Sequence, residues 1–254
     1  MHRHSRFHRH APRIVGALAC VLAFAGPAAE PASTVAATRP KKAARPPHPR
    51  ARVASDPAVN RSLSSATLWS CQVNPGGTTC VNAVLTAIDR ARAAENVRAM
   101  RLPPGFAALS QPQQLFVIAN LERSDRGLIP AIGLSRGLDR NALAAARANQ
   151  DPVPNPFFGN AYGSNWAGGI GSTLAVDFLW MYDDGPGSFN IDCRSPQDAG
   201  CWGHRHNILY AYEPPLAMGA AVAGTSMTEV FVGGDGRTHP GQADAPLTTR
   251  AARR

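Results

Sequence analysis

The chain has 254 residues, 44% of them apolar and 17% charged, with a formal net charge of +9. Ten of its 26 Lys and Arg but only one of its 17 acids, Glu30, fall between Met1 and Arg52, so the remainder balances at sixteen cations against sixteen acids. The basic character therefore belongs to the N-terminal segment, and a basic nucleic-acid-binding domain is excluded as the default, with no nucleic acid among the expected partners. The chain beyond Arg52 is long enough for one globular domain with an appended subdomain.

Met1 to Arg13 is cationic, and Ile14 to Ala25 (IVGALACVLAFA) is an apolar run of 12 residues before Gly26 and Pro27. Such a run falls short of the roughly 20 apolar residues that span a bilayer, and Ala23-Phe24-Ala25 offers a small-x-small cleavage site. Residues 1–25 are expected to be a signal peptide, which makes the product secreted, extracellular or associated with the cell envelope. An uncleaved anchor is the other reading. No later stretch is long and apolar enough to cross a membrane, so no transmembrane span is expected after cleavage. Arginine used in preference to lysine, together with abundant alanine, suits an actinobacterium-like, high-GC source.

Cleavage removes Cys20 and leaves Cys71, Cys80, Cys193 and Cys201. An even count in an exported chain fits two disulfides, for which three pairings exist. Cys71–Cys80 and Cys193–Cys201 is the preferred set, because each closes a short loop of turn formers, NPGGT and RSPQDAG. The rival is a four-thiolate zinc site, but neither pair has C-x-x-C spacing.

Residues 26–66 are rich in Ala, Pro and Arg without apolar periodicity and read as a disordered basic linker. Residues 67–108 are expected to hold a disulfide-closed loop, Leu68 to Cys80, and a helix. Val81, Val84, Leu85, Ile88 and Ala91 recur at helical spacing, predicting that helix as far as about Met100. Ser110 and Gln113 open a second helix as a capping box, and Gly127 stands where a left-handed terminus is wanted. A third helix is expected near Asp139–Asn149. Residues 150–171, full of Pro, Gly and Asn, read as loop. Leu174–Met181 is a compact apolar helix ending at Asp183-Asp184-Gly185. Loop runs to Cys201, Gly203–Leu209 is a short helix or turn, and Met218–Ala223 with Thr228–Val232 forms a hairpin. Residues 237–254 are patternless and read as a disordered tail.

Of eight histidines only His204 and His206 lie in the globular part. Two residues apart, they share a face on a strand but diverge by about 200° on a helix, so a chelating pair needs an extended segment.

Four stretches carry a family resemblance. Phe116-Val117-Ile118-Ala119-Asn120-Leu121-Glu122-Arg123-Ser124-Asp125-Arg126-Gly127-Leu128-Ile129-Pro130 fits "iN-x-x-R-x-x-x-G-L-x-P". Gly163-Ser164-Asn165-Trp166-Ala167 is similar to a "G-E-N-I-A" loop. Ala175-Val176-Asp177-Phe178-Leu179-Trp180 looks like a helix carrying a characteristic Trp, and Gly203-His204-Arg205-His206-Asn207-Ile208-Leu209 fits "G-H-R-x-N-I-L". In this order and spacing they resemble the bacterial, exported members of the CAP superfamily (SCP domain: cysteine-rich secretory, antigen five and pathogenesis-related proteins), over about Ser110 to Asp235. The resemblance implies an α+β fold, a three-layer α-β-α sandwich over residues 109–236.

It also implies a groove where two His and two Glu bind a divalent metal. His204 matches the second His and Asp183 the second acid. Ser164 stands at the first Glu, and residues 150–162 hold no His. The tetrad is degenerate, so a weakly held divalent ion such as zinc on His204 and Asp183, helped by His206, Asp184 or water, is all that is expected as cofactor. The resemblance implies a non-enzymatic extracellular domain that binds a ligand or partner, lipid or cell-wall material among the candidates, near His204, Asp183, Ser164, Asn165 and His206. Next to this stands a plainer reading, in which His204 is hydrogen-bonded to backbone or to Asp183, Asn165 and Asn207 lock loops, and Trp180 and Trp202 are core. The alternative function is a cell-wall-acting hydrolase using His204 and Asp183, with Ser164 as nucleophile. Ser164 lacks a G-x-S-x-G elbow, and that reading requires Ser164, Asp183 and His204 within hydrogen-bond reach of one another.

Overall fold

The computed structural model describes residues 56–155, 158–159 and 161–234. The expected signal peptide, the linker as far as residue 55 and the tail 237–254 lie outside the described residues. The described elements are α1 (Ser65–Val73), α2 (Thr78–Ala94), α3 (Gln111–Ser124), α4 (Arg136–Ala148), β1 (Ala161–Ala167), α5 (Thr173–Tyr182), α6 (Gly203–Leu209), β2 (Leu216–Ala223) and β3 (Ser226–Gly233). The class is α+β.

Local chemistry accounts for most of these boundaries. The capping box opens α3, with the Ser110 amide donating to Gln113 Oε1 at 3.0 Å and Pro112 in the first turn, where its missing N–H costs nothing. Gly127, at φ +76°, turns the chain after it. Both disulfides form as the short loops suggested, with Cα separations of 4.8 Å for Cys71–Cys80 and 4.5 Å for Cys193–Cys201.

Four expectations are corrected. The stretch from Leu68 to Cys80 is not a loop: Ser64 caps α1 by accepting from the Thr67 amide, and the disulfide staples α1 to α2. Helix α2 ends at Ala94 rather than near Met100, because Asn96 turns left-handed at φ 57° and the Met100 amide folds back onto the Asp89 carboxylate at 2.7 Å. Met100 is buried, which made the apolar pattern look continuous. Residues 56–66 belong to the domain rather than to a linker, with the Arg61 amide bonded to Tyr182 O and Leu63 buried. Finally, Ala161–Ala167 is a strand, not loop.

The sheet is antiparallel in the order β1-β3-β2. Residues 132–135 run along the free edge of β2, with Ile132 and Ser135 amides bonded to Leu216 and Met218 carbonyls. On one face Ala217, Ala221, Val230 and Val232 pack against Leu138 and Ala142 of α4. On the other, Met218, Ala220 and Phe231 join the larger core with Val84 and Ile88 of α2, Ile118 of α3 and Phe178 of α5. The segment 67–108 therefore shares this core.

Through the larger core runs a chain of ion pairs. Glu122 (α3) is fully buried and binds Arg92 (α2) at 2.7 Å, Arg126, and the Tyr182 hydroxyl (α5) at 2.9 Å. Arg126 and Arg205 (α6) both reach Glu95, each at 2.8 Å. Burial works against the Glu95 carboxylate, but Arg205 and Arg126 outweigh it and hold its pKa below the usual range. Removing one charge from such a network leaves buried partners uncompensated, which costs more than the intact pair contributes. Glu122→Gln is accordingly expected to destabilise the fold by about 3 kcal/mol in urea unfolding, against a change within about 0.5 kcal/mol for an exposed substitution such as Gln72→Glu.

Candidate functional site

The site forms where the C-terminal end of α5 meets α6. Asp184 accepts from the backbone amides of His204 at 2.9 Å and Arg205 at 3.3 Å through Oδ2, so it caps the otherwise unsatisfied start of α6. Its Oδ1 faces His204 Nδ1 at 2.6 Å and Asn190 Nδ2 at 2.7 Å. Trp180 stacks beside the imidazole, with ring centroids 6.4 Å apart. Burial opposes the charged imidazole, but the hydrogen bond and charge of Asp184 prevail, and the His204 pKa lies above its ordinary value. Asp151 and Asp192 add to that attraction electrostatically.

The other wall is β1. Asn207 Nδ2 donates to Ser164 O at 2.7 Å and to Asn165 Oδ1 at 3.0 Å, while the Asn165 amide donates to His204 O at 3.2 Å and Glu229 Oε1 at 2.8 Å. Helix α6 lies so close to β1 that a Cβ on Gly163 would collide with Asn207 and the Tyr212 hydroxyl, which explains a glycine in mid-strand. Glu229 is fully buried in β3, and burial pushes its pKa up to about 8, opposed only in part by Asn165 and His204. Asp177 on α5, facing Glu122 and Glu229, is raised for the same reason.

The residues selected from sequence divide. His204 and Asn165 face each other across this junction. His206 points outward from α6, half exposed, and binds Asp56 at 2.7 Å. Asp183 makes no hydrogen bond or ion pair with His204 among the described residues. It is buried, accepts from the Ser62 hydroxyl at 3.3 Å, and has its pKa raised to about 6 by burial, with Asp184 adding to the rise. The acid that holds His204 is its neighbour Asp184. Ser164 offers its backbone carbonyl, and its hydroxyl makes no hydrogen bond to Asp183, Asp184 or His204 among the described residues, so the geometry does not assemble the serine hydrolase arrangement. Sequence reasoning missed Asn190 and Glu229. The lone acid in an apolar strand, Glu229, was a readable signal.

The donor set does not fit a zinc ion. Asp184 has about four acceptor sites, and the His204 ring, Asn190 and two backbone amides occupy them. His204 has one ring nitrogen without a hydrogen-bond partner among the described residues, and Asp183 is engaged by Ser62, whereas zinc takes three or four protein donors. Among the described residues no group of three or more His, Cys, Asp or Glu is placed to hold a metal. A concavity of about 490 Å³ is lined by Ser62–Ser64, Thr67 and the Asn82–Arg90 face of α2, and not by His204, Asp184 or Asn165.

Two measurements check this geometry. Asp184→Asn is expected to lower the His204 imidazole pKa in an NMR titration, while Asp183→Asn leaves it nearly unchanged; equal effects would overturn the pairing. For Glu229 the folded pKa of about 8 exceeds the ordinary 4.5, so the fold retains a proton the unfolded chain has lost. Its stabilising contribution is full below about pH 4.5 and is gone by about pH 8. Glu229→Gln keeps an acceptor for Asn165, and is expected to remove on the order of a few kcal/mol of the fall in unfolding free energy across that window. A slope identical to that of the parent chain contradicts the assignment.

No protein-family model and no curated protein matches the chain. Among solved structures it is similar to an extracellular protein containing a SCP domain from Bacillus anthracis str. Ames, at 18% identity, TM-score 0.35 and 48% of this chain. It is also similar to a cysteine-rich secretory protein from Staphylococcus aureus subsp. aureus Mu50, at 16% identity, TM-score 0.34 and 53% of this chain. The match spans 40% of the length of each of those chains.

Proposed function

We propose that the chain is an exported CAP-type protein, built as that family's three-layer α-β-α sandwich, that binds a lipid or cell-wall ligand without catalysis in the groove around His204, Asp184 and Asn165. One observation carries this reading: the four motif segments interlock through the residues that define them. In the first, Asn120 exchanges hydrogen bonds with the Ala131 backbone, and Arg123 donates to the carbonyls of Ile208 at 2.5 Å and Tyr210 at 3.0 Å, at the end of the His204 motif. Arg205 of that motif donates to Met181 O at 2.8 Å in the Trp180 helix, and Asn207 fixes the Ser164–Asn165 segment. Segments far apart in sequence thus share one junction, which is what a site-bearing domain of this type requires.

The two disulfides support export, since such bonds persist in oxidising compartments. The saturated Asp184 supports a site that works without a resident metal. Native mass spectrometry of protein recovered from culture medium is expected to show a co-purifying adduct that His204→Leu loses, and calorimetric titration with zinc or copper is expected to give no heat. Hydrolysis of a generic ester or of peptidoglycan that disappears in His204→Ala would overturn the reading in favour of an enzyme.

A further inference from the structure

Residues 56–94 precede every stretch that resembles the CAP superfamily, and they build a cavity of their own. The concavity of about 490 Å³ runs between residues 62–67 and the outer face of α2, and its size is that of a small-molecule site. Leu63, buried, and Ala83 and Ala87, half-buried, give it an apolar floor, while Asn82, Thr86 and Arg90 stand exposed along its rim. The walls are fixed before any ligand arrives. Ser64 caps α1 by accepting from the Thr67 amide at 3.1 Å, and the Cys71–Cys80 disulfide staples α1 to α2. The Arg61 amide donates to Tyr182 O at 2.9 Å and the Ser62 hydroxyl to Asp183 at 3.3 Å, which ties the remaining wall to the end of α5. A cavity held in this way costs little ordering entropy when it is filled.

The hydrogen-bonding capacity left over in the cavity defines what fits. The Thr86 hydroxyl donates to Asn82 O at 2.7 Å, Ser62 donates to Asp183, and Ser64 and Thr67 share one proton between hydroxyls 2.9 Å apart. Three of these four hydroxyl protons are therefore committed inside the protein, and the oxygens meet a ligand chiefly as acceptors. The Asn82 amide and the Arg90 guanidinium have no partner among the described residues, and Asp89, beside Arg90, is engaged by the Met100 amide at 2.7 Å. Acceptors around the rim call for several hydroxyl donors on neighbouring carbons, and the planar fork of one arginine matches one carboxylate. Asn82, Thr86 and Arg90 succeed one another every four residues, so the polar row is about 12 Å long, more than a single inorganic anion spans.

We propose that this cavity binds an acidic saccharide, with Arg90 holding its carboxylate, Asn82 and the hydroxyl oxygens taking the sugar hydroxyls, and Leu63, Ala83 and Ala87 meeting the ring carbons. The site is separate from the groove at His204 and stands if the reading of that groove fails. The test titrates the processed chain, secreted by a bacterial host, with trigalacturonate, with the neutral trisaccharide maltotriose and with inorganic phosphate, followed by calorimetry and by the side-chain NMR signals of Asn82 and Arg90. Trigalacturonate is expected to bind with a Kd of about 1 mM or tighter and to move both signals, and the two controls are expected to bind more weakly by about tenfold or more. Arg90→Gln, on an exposed position, is expected to lower the affinity for trigalacturonate by about tenfold. Arg147→Gln, exposed on α4 and outside the cavity lining, is expected to leave it unchanged. No binding by folded protein, equal binding of maltotriose or of phosphate, signals of Asn82 and Arg90 that do not move, or equal affinity in the two variants would each overturn the proposal.

Discussion

The Glu122 carboxylate, buried with Arg92, Arg126 and the Tyr182 hydroxyl around it, is the constraint on which the arrangement of helices rests. An apolar core tolerates small shifts of one helix on another, whereas buried charges tolerate few, because each must meet its partner at hydrogen-bond distance. Glu122 sets α3 against α2 and α5, and Glu95 extends the chain to α6 through Arg205. Arg205 sits next to His204 and also grips Met181 O. The position of the imidazole thus depends on an ionic network on the far side of its own helix. Replacing such a network by hydrocarbon often costs no stability, so its value here is geometric specificity rather than free energy.

A different rule governs the acids that form no ion pair among the described residues. Asp177 and Glu229 occupy the same core without a salt bridge among the described residues, and burial outweighs the pull of Arg92 and Arg126 on Asp177 and of Asn165 and His204 on Glu229. Glu229 at about pH 7 is therefore a carboxylic acid under the site, able to accept from Asn165 without placing a charge beneath the His204 backbone. Arg123 is the converse case: burial lowers its pKa to about 10, and it spends its donors on the carbonyls of Ile129, Ile208 and Tyr210 rather than on an acid.

Most of the helices were legible because their signals are local: the Ser110–Gln113 box, the Gly127 turn, and the apolar periodicity of α2. What escaped was held by distant partners. Strand β1 reads as loop because Gly163, Ser164 and Asn165 have poor strand propensity, and only pairing with β3 and the bonds to Asn207 and Glu229 make it a strand. The overrun of α2 came from Met100, which is buried by folding back. At the site, His204, Asn165 and Asn207 were recognisable from their motifs. The choice between adjacent acids was not, since Asp183 and Asp184 differ only in which side of the α5 terminus they leave, and that is decided by where α6 lands.

The selection of Asp184 changes what the groove can accommodate. A carboxylate engaged as a helix cap and as an imidazole partner cannot also be an open ligand, so the acid has become architecture, and the second ring nitrogen of His204 has no hydrogen-bond partner among the described residues. The acids that act electrostatically on the imidazole are Asp184, Asp151 and Asp192. Three acids about one imidazole give a field that repels anions at short range, where screening is weakest. The site is thereby suited to neutral or cationic groups rather than to anions.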